Sequence, residues 1–401
     1  SAALGIAAGE LLRRGRVRRV SVTAPSLTAA EPVLEHAAAY AAGTFADRRT
    51  VRIGAGELAF REPEAVLERA GADELVLVDE AAGLPVALLT ALLRGAPRIA
   101  FATTVHGYEG TGRGFDLRFR AVLDAETPQW RAVRLEAPIR WAPGDPLEAW
   151  LARALLLDAE PGEPDPPGPD DALRVEALDR DALAADEPRL RQLFGLLVSA
   201  HYRTRPLDLR QLLDAPGIHL LGAVCGGECL GVALAAEEGG LDAETARQVW
   251  AGRRRPQGHL LPQMLATHAG LEAAPRQRGL RILRIAVHPR VRRRGIGRRL
   301  VAAVEAQARS GGCQLLGTSF GATAELIAFW RACGLHTVAV GARRDPASGE
   351  HSALMACGLD GAGQRLVAEA GERLRAALPA QLGEPLAGLD PAVARAAARA
   401  A

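Results

Sequence analysis

Apolar residues along the first 157 positions change repeatedly between helical and strand spacing. Residues 2–14 have helical spacing, whereas RVSVT at 19–23 is a short β-branched segment. LVLV at 75–78 and RIAFATT at 98–104 are continuous apolar runs of the kind that a parallel sheet buries on both faces. Helices that alternate with such strands predict an α/β, doubly wound domain over residues 1–157.

A polar segment separates this region from a second set of elements. Residues 158–172 are rich in Pro, Asp, Glu and Gly and poor in apolar side chains, which predicts a linker. The later pattern predicts a hairpin at 219–236, strands at 281–287, 314–318, 336–340 and 351–358, and helices from 298 and at 323–332. We therefore expect a second domain over residues 173–360.

The last segment, residues 361–401, is rich in Ala, Leu and Arg. Its composition predicts a helical C-terminal tail, with breaks at Pro379, Pro385 and Pro391 because proline interrupts a helix interior.

Composition narrows the class of protein only slightly. The 401 residues suffice for two or three domains, and a net charge of +2 excludes no partner. Lysine is absent, so all 49 basic side chains are arginines, whose guanidinium groups suit phosphates. The five cysteines follow no metal spacing, and Cys225 and Cys229 fit a β-hairpin better than zinc. No apolar run has membrane length, so we expect a protein of the reducing cytoplasm that does not bind membranes.

The strongest local motif follows the predicted strand at 281–287. An arginine-rich turn comes next, and Gly295 and Gly297 open the predicted helix. Glycines allow the backbone to curl around an anion, and a helix N-terminus adds partial positive charge. Arg292, Arg293, Arg294 and Arg298 add charge-assisted hydrogen bonds to phosphates. This pattern resembles the R/Q-x-x-G-x-G/A motif of the GNAT acetyltransferases.

A second motif lies in the first domain. The strand at 75–78 ends in Asp79 and Glu80, the arrangement of a Walker B motif. Asp79 would lie where Mg²⁺ accompanies a nucleotide, and Glu80 would orient the attacking water. Thr103, Thr104 and a glycine-rich loop at 107–115 follow the next strand, as in helicase-type ATPases.

The beginning of the chain resembles a P-loop domain that is cut directly after its lysine. Ser1 then corresponds to the Walker A hydroxyl that reaches Mg²⁺. No lysine elsewhere in the chain replaces the missing one, so we expect this chain to hydrolyse ATP poorly.

Taken together, the sequence blocks resemble the bacterial tRNA(Met) cytidine acetyltransferases, relatives of the eukaryotic RNA cytidine acetyltransferases. The blocks are DEAA at 79–82, TTVHGYEGTGRGF at 103–115, PIRWAPGDPLE at 138–148, HYRTRPLDLRQLLDAPG at 201–217, GRRRPQGHLLPQ at 252–263 and SFGATAELIAFWRACG at 319–334. The resemblance implies an N-terminally truncated, RecA-like helicase/P-loop ATPase domain, a GNAT acetyltransferase domain and a helical tail. It also implies transfer of acetyl from acetyl-CoA, with ATP or GTP and Mg²⁺, to the wobble cytidine in the anticodon of elongator methionine tRNA.

The resemblance also assigns ligand contacts to residues of this chain. The ATP contacts are Ser1, Ala2, Ala3, Leu4, Asp79, Glu80 and Arg140, of which Ser1 and Asp79 reach Mg²⁺. The acetyl-CoA contacts are Ile285, Ala286, Val287, Arg292, Arg293, Arg294, Gly295, Ile296, Gly297, Arg298 and Glu325. The basic residue that the family carries after this segment is missing, because Ala332 occupies its position and Arg331 lies one position earlier.

His201 and Tyr202 are the candidate catalytic residues. The exocyclic N4 of cytosine is a weak nucleophile, so the transfer needs close positioning, a proton acceptor and stabilisation of the departing thiolate. A histidine titrates near neutrality and can accept the N4 proton, and a tyrosine can donate to sulfur. Glu325 is an alternative base.

Three functions remain open from the residues alone. Besides RNA acetylation, the motifs allow a GNAT protein or small-molecule N-acetyltransferase, or an RNA-remodelling ATPase with a non-catalytic GNAT module. For RNA, the candidate phosphate contacts are Arg203, Arg205, Arg253–Arg255 and the arginines of the tail. No obligate protein partner is expected.

Overall fold

The computed structural model describes residues 1–69, 74–104, 119–137, 141, 142, 144–164, 172–200, 206–345 and 348–401. It divides into two compact units. The first consists mainly of Ser1–Leu157, and the second of the chain from Asp158 onward.

The first unit contains a six-stranded sheet with the order β2-β3-β4-β1-β5-β6. Its strands are β1 (Arg19–Thr23), β2 (Thr44–Asp47), β3 (Thr50–Ile53), β4 (Gly56–Phe60), β5 (Glu74–Val78) and β6 (Ile99–Phe101). Its described helices are α1 (Ala2–Arg13), α2 (Leu27–Ala41), α3 (Pro63–Arg69), α4 (Val86–Gly95), α5 (Arg120–Glu126) and α6 (Pro146–Ala154). Strands β4, β1, β5 and β6 are parallel, whereas β2 and β3 extend the sheet as an antiparallel edge that was not predicted from the sequence.

Successive residues of β5 enter two different cores. Leu77 packs with α1 and α2, whereas Val76 and Val78 pack with α3, α4 and α5. The alternation follows from the two-residue period of a strand, and it accounts for the continuous apolar run in the sequence. The predicted α/β sheet with two covered faces is confirmed for this unit.

The second unit contains a seven-stranded sheet with the order β12-β13-β11-β10-β9-β8-β7. Its strands are β7 (Arg174–Ala177), β8 (Ile218–Cys225), β9 (Glu228–Gly239), β10 (Arg278–Val287), β11 (Leu315–Gly321), β12 (His336–Arg344) and β13 (His351–Gly358). Only β10 and β11 pair in parallel, and the other neighbours are antiparallel. Cys225 ends β8 and Cys229 lies in β9, which confirms the predicted hairpin.

Nine described helices cover this sheet. They are α7 (Arg180–Ala185), α8 (Glu187–Ala200), α9 (Pro206–Asp214), α10 (Ala243–Trp250), α11 (Leu260–Thr267), α12 (Ile296–Ser310), α13 (Ala324–Ala332), α14 (Gly361–Gly383) and α15 (Pro391–Ala400). Helix α12 begins two residues before the predicted start, and its buried positions follow helical spacing from Ile296 to Ala308.

The C-terminal helices pack into the second unit. Leu366 and Val367 of α14 join the core under β12 and β13, and Val393 and Ala397 of α15 join the core that contains α12 and α13. The predicted break at Pro379 is wrong, because α14 continues through it to Gly383. Buried Leu374 and Leu378 hold this stretch against the unit despite the missing amide.

The described part of the predicted linker also has packing partners. Ala159 is 1% exposed, and Asp158 forms a 2.6 Å ion pair with Arg191 of α8. The Gly162 carbonyl accepts a 3.2 Å hydrogen bond from the buried His288 ring. Residues 158–164 are therefore held against the second unit. Across the described helices, none is both long enough and apolar enough to cross a membrane.

Candidate functional site

The carboxyl ends of β1 and β5 lie side by side at one edge of the first sheet. Thr23 ends β1, Asp79 follows β5, and the Asp79 amide donates a 2.9 Å hydrogen bond to the Thr23 carbonyl. Asp79 is 2% exposed and Thr23 is fully buried. The sheet thus holds a carboxyl group at its edge and away from bulk water.

Ser1 lies beside this carboxyl group. Ser1 N is 3.5 Å from Asp79 Oδ1, and α1 begins at the next residue without a side-chain cap from Ser1. Among the described residues, Asp79 Oδ2 and Thr23 Oγ1 are buried and have no hydrogen-bond partner. Such oxygens are costly to bury unless a ligand completes them, and Mg²⁺ takes oxygen ligands. The two residues predicted for Mg²⁺ lie together, and the free oxygens fit a hard cation.

The other predicted nucleotide contacts that the structure describes directly follow Ser1 or Asp79 in the chain. Ala2 and Ala3 are exposed and Leu4 is half-buried in the first turn of α1. Glu80 adopts φ 47°, a left-handed conformation that costs a non-glycine residue about 1–3 kcal/mol. Thr103 Oγ1 accepts a 3.3 Å hydrogen bond from the Ala82 amide, which ties the turn after Asp79 to the segment after β6. Arg140 and residues 107–115 lie outside the described residues.

In the second unit, the predicted glycine turn joins β10 to α12. Buried His288 follows β10, and its Nδ1 accepts a 3.3 Å hydrogen bond from the Arg290 amide. Arg293 and Gly295 then adopt φ 64° and φ 81°, and only the glycine takes this conformation without strain. No side chain caps the N-terminus of α12 at Gly295. The amides of its first turn therefore remain available to an anion.

Strands β10 and β11 separate before they reach this turn. Their pairing runs from Gly279 opposite Leu315 to Ile282 opposite Thr318. A bulge in β10 follows, between residues 282 and 284, and from there to Val287 the strand pairs only with β9 among the described residues. The edge of Ile285–Val287 that faces β11 is thus open to an extended ligand.

The arginines of the turn are exposed, and one of them has an acidic partner. The exposed side chains are Arg292, Arg293, Arg294 and Arg298. Arg292 Nε donates a 3.3 Å hydrogen bond to the Val287 carbonyl, and Arg293 forms an ion pair with Glu325 in the first turn of α13. The structure therefore brings Glu325 to the turn, as a partner of arginine rather than as an isolated carboxylate.

Two ion pairs on β10 were not predicted. Arg284, next to the bulge, contacts Asp208 of α9 at 2.6 Å. Arg281 contacts Glu238 at 2.6 Å, and Glu238 is buried and also accepts from the Leu261 amide at 2.7 Å. The sequence feature that could have predicted these pairs is the presence of arginines in an otherwise apolar strand, because a buried guanidinium group needs a carboxylate partner.

The predicted catalytic pair is not among the residues that the structure describes. His201 and Tyr202, like Arg203 and Arg205, lie outside the described residues, which resume at α9. No group of three or more potential metal ligands occurs in the part of the chain that is described. The two sites that the described residues build are therefore the Asp79 edge, formed by Ser1, Thr23 and Asp79, and the Gly295 turn, formed by residues 285–298.

Two family models match the chain in the same order as its two units. The model of the helicase domain of RNA cytidine acetyltransferase NAT10/TcmA matches residues 1–158. The model of GNAT acetyltransferase 2 matches residues 192–310 and 304–360.

Individual proteins are similar over nearly the whole chain. The tRNA(Met) cytidine acetyltransferase TmcA of Nitrosococcus halophilus (strain Nc4) is 48% identical over 396 residues, which cover 98% of this chain and 53% of that protein. The enzyme of the same name from Haloferax volcanii is 41% identical over 410 residues, covering 99% and 53%. The chain spans about half the length of the curated relatives it matches.

A solved structure, the ribosomal-protein-S18-alanine N-acetyltransferase from Escherichia coli, is 14% identical with a TM-score of 0.32. That match covers 47% of this chain and 95% of the solved chain.

Proposed function

Because the chain belongs to the tRNA(Met) cytidine acetyltransferase family, with a helicase-like domain followed by a GNAT domain, we propose that it is the nucleotide-driven transferase of that family. The proposed reaction moves the acetyl group of acetyl-CoA to N4 of the wobble cytidine of elongator methionine tRNA, with ATP or GTP consumed. The reducing cytoplasm is the proposed compartment, in keeping with five free cysteines.

The observation that carries this proposal is the open edge of β10 that leads into the Gly295 turn. An extended pantetheine arm would pair with the backbone of Ile285–Val287, where β11 has moved away. The pyrophosphate would then lie on the uncapped amides of α12, with Arg292 and Arg298 as charged partners. The residues present fit acetyl-CoA because both the open strand edge and the anion site occur in one continuous segment.

The lone pair of cytosine N4 is delocalised into the ring, so acetyl transfer requires a group that accepts the N4 proton and a group that protonates the leaving thiolate. We assign the first role to His201 and the second to Tyr202. In the balanced step the N4–carbonyl bond forms and the carbonyl–sulfur bond breaks. The N4 proton passes to His201, and Tyr202 donates a proton to the leaving thiolate. Acetyl-CoA supplies the activated acyl group.

The nucleotide would bind at the Asp79 edge. Ser1 and Asp79 would hold Mg²⁺, with Glu80 orienting water and Arg140 contacting phosphate. The buried, unpartnered Asp79 Oδ2 supports this assignment because a cation would complete it. Nucleotide hydrolysis would drive the remodelling that exposes the wobble base, since a stacked base must leave its neighbours before N4 can react.

The test is product analysis. The chain, extended at its N-terminus to include the Walker A lysine that this sequence lacks, is incubated with acetyl-CoA and unmodified elongator methionine tRNA, with and without ATP, and the digested nucleosides are analysed by mass spectrometry. N4-acetylcytidine that depends on ATP is the expected result. Acetyl-CoA binding without any acetylated nucleoside would contradict the RNA substrate and favour a protein or small-molecule acceptor. RNA remodelling without any acetyl transfer would favour the ATPase alternative.

Coupling between the two sites is tested with Asp79→Ala. We expect N4-acetylcytidine formation to fall at least about tenfold while the acetyl-CoA affinity stays unchanged, because the substitution lies in the nucleotide site. Unchanged turnover would show that acetyl transfer does not need the nucleotide.

A further inference from the structure

The chain between β9 and β10 contains a surface with exposed arginines and an exposed tryptophan. It includes α10 and α11 and the loop of residues 251–259 that joins them, which we call the α10–α11 loop. Its three arginines, Arg253–Arg255, are candidate phosphate contacts, and the sequence alone does not distinguish among them.

This loop has a fixed conformation. The amides of Arg253 and Arg254 both donate to the Gln248 carbonyl, at 2.9 and 3.2 Å. At its far end, His259 Nδ1 accepts a 2.8 Å hydrogen bond from the Gly239 amide, and Gln263 Nε2 donates to the Pro256 carbonyl at 2.5 Å. A ligand that binds here would therefore meet a preorganised backbone.

The three arginines of the loop differ in their partners. Arg254 Nη1 donates to Thr245 Oγ1 at 3.2 Å, so this side chain helps to hold the loop. Arg253 and Arg255 are exposed, and neither has a hydrogen-bond or ion-pair partner among the described residues. On α10, Glu244 is occupied by Arg247 and Gln248. Two guanidinium groups are thus left for an external anion.

Trp250 is the last residue of α10 and directly precedes the α10–α11 loop in sequence. Its indole N–H donates to the Gly270 carbonyl at 3.2 Å, while 44% of the residue remains exposed. The polar edge of the ring is satisfied inside the protein, so the exposed part is aromatic surface. Such a fixed ring is suited to stacking with a flat partner.

We propose that Trp250, Arg253 and Arg255 form a binding surface for unpaired RNA nucleotides, with one base stacked on the indole and two phosphates on the guanidinium groups. Unpaired rather than duplex RNA fits because a base must leave its neighbours to stack on a side chain. The inference rests on the proposed RNA substrate and adds where the nucleotides beside the target base are held. Since this surface does not include the Gly295 turn, RNA bound here does not compete with acetyl-CoA bound at the turn.

The test measures binding of a fluorescent oligouridine of about ten nucleotides over a series of salt concentrations. Arg253→Gln with Arg255→Gln should weaken binding and reduce the salt slope by about 1.4, since each phosphate contact on a single strand contributes about 0.7. Trp250→Leu should weaken binding about tenfold with an unchanged salt slope, whereas Trp250→Phe should retain most of the affinity. Circular dichroism of each variant establishes that it is folded.

The matched control for charge is Arg16→Gln with Arg18→Gln, two exposed arginines in the turn after α1. This control should bind RNA within about twofold of the parent protein. Equal weakening by both double variants would show a net-charge effect only and would overturn the proposal. Loss of oligouridine binding at saturating acetyl-CoA would also overturn it, because RNA would then occupy the Gly295 turn.

The nucleoside assay separates the two possible failures. If the parent protein forms N4-acetylcytidine and the Trp250 and arginine variants bind RNA as it does, the surface is wrong and the proposed function stands. If the parent protein neither binds nor acetylates RNA, the proposed function itself fails, and the surface with it.

Discussion

The Asp79 edge and the Gly295 turn, both proposed to bind phosphorylated ligands, differ in where they place their charged groups. The Asp79 edge buries a carboxyl group and leaves Oδ2 without a partner among the described residues. At the Gly295 turn the charges are exposed arginines, and the ordered part is backbone: two residues at positive φ, an uncapped helix and an open strand edge.

The difference indicates which feature of each site makes an unfavourable contribution to the free energy of folding. The buried Asp79 carboxyl group has Ser1 N at 3.5 Å from Oδ1 and no partner at Oδ2 among the described residues, so it opposes folding until a cation completes Oδ2, and ligand binding and stability depend on the same atom. Exposed arginines cost little in the free protein because water screens them, and the cost at the Gly295 turn is conformational. Substitutions at the two sites should therefore change stability with opposite signs.

The largest effect is expected for Asp79→Asn. It removes a buried charge but keeps the shape, so the free energy of unfolding should rise by about 1–2 kcal/mol in the absence of nucleotide. The Mg²⁺-dependent part of ATP binding should fall about 100-fold, because Mg²⁺ loses a carboxylate ligand. Chemical denaturation and calorimetric ATP titration measure the two effects.

Glu74→Gln is the matched control, because Glu74 is also buried but has Ser21 and Arg61 as partners. This substitution should lower stability by about 1–3 kcal/mol and leave ATP binding unchanged. A loss of stability in Asp79→Asn would contradict the view that its carboxyl group opposes folding.

Gly295→Ala tests the conformational cost at the turn. At φ 81° a side chain is strained although no atom lies near the new Cβ, so stability should fall by about 1 kcal/mol. Acetyl-CoA affinity should fall about tenfold because the relaxed turn misdirects its amides. Gly226→Ala, at φ 57° in the β8–β9 turn and equally open, should lose similar stability but keep acetyl-CoA affinity. Equal loss of affinity in both variants would assign the effect to general destabilisation.

A buried thiol, Cys229, and a half-buried one, Cys357, extend the comparison to neutral groups. Burial raises the pKa of Cys357 to about 12 and that of Cys229 to about 11, above those of unfolded thiols. Their contribution to the free energy of unfolding is complete below about pH 8.5. It is lost as the pH rises toward these values, because the thiols of the unfolded chain lose their protons first. Each should cost about 2 kcal/mol at pH 10, which is about 1.5 pH units above the unfolded pKa at about 1.4 kcal/mol per unit. No lysine titrates in the same range, because the chain contains none. Denaturation of Cys357→Ala should show a flatter decline between pH 8.5 and 11; an unchanged curve would exclude this thiol.

Glu325→Gln should have the smallest effect. The ion pair with Arg293 is exposed, so the melting temperature should stay within about 1 °C. Release of Arg293 should strengthen acetyl-CoA binding by about two- to threefold, with kcat unchanged. Glu305→Gln, which removes the exposed pair with Arg309 on α12, is the control without an effect on acetyl-CoA. A fall in kcat of about 100-fold would instead make Glu325 the base.

The elements that the sequence predicted correctly have strong local signals. The apolar run at 75–78 became β5 with two covered faces, and the two glycines after the strand at 281–287 mark the turn and the start of α12. Ser1 and Asp79 lie together as their motifs required, although the roles assigned to them remain predictions.

Other features depend on contacts between distant residues and leave little local trace. The bulge in β10 depends on the register with β9, and nothing in residues 282–284 alone marks it. Asp208 and Arg284 are 76 positions apart, so their pairing follows from the fold. Pro379 shows the reverse: a strong local break signal is overridden by the buried leucines before it.

The packing of α15 has a consequence for the order of folding during synthesis. The core that contains Leu300 and Trp330 also includes Val393 and Ala397 of α15, together with Leu386 and Leu389 just before the helix. A ribosome delivers these residues after every strand of the second sheet, so this core stays partly uncovered until α15 has been synthesised. Because the exposed apolar surface of an unfinished core attracts other chains, the packing of α15 shortens the interval in which the nascent second unit is exposed to aggregation.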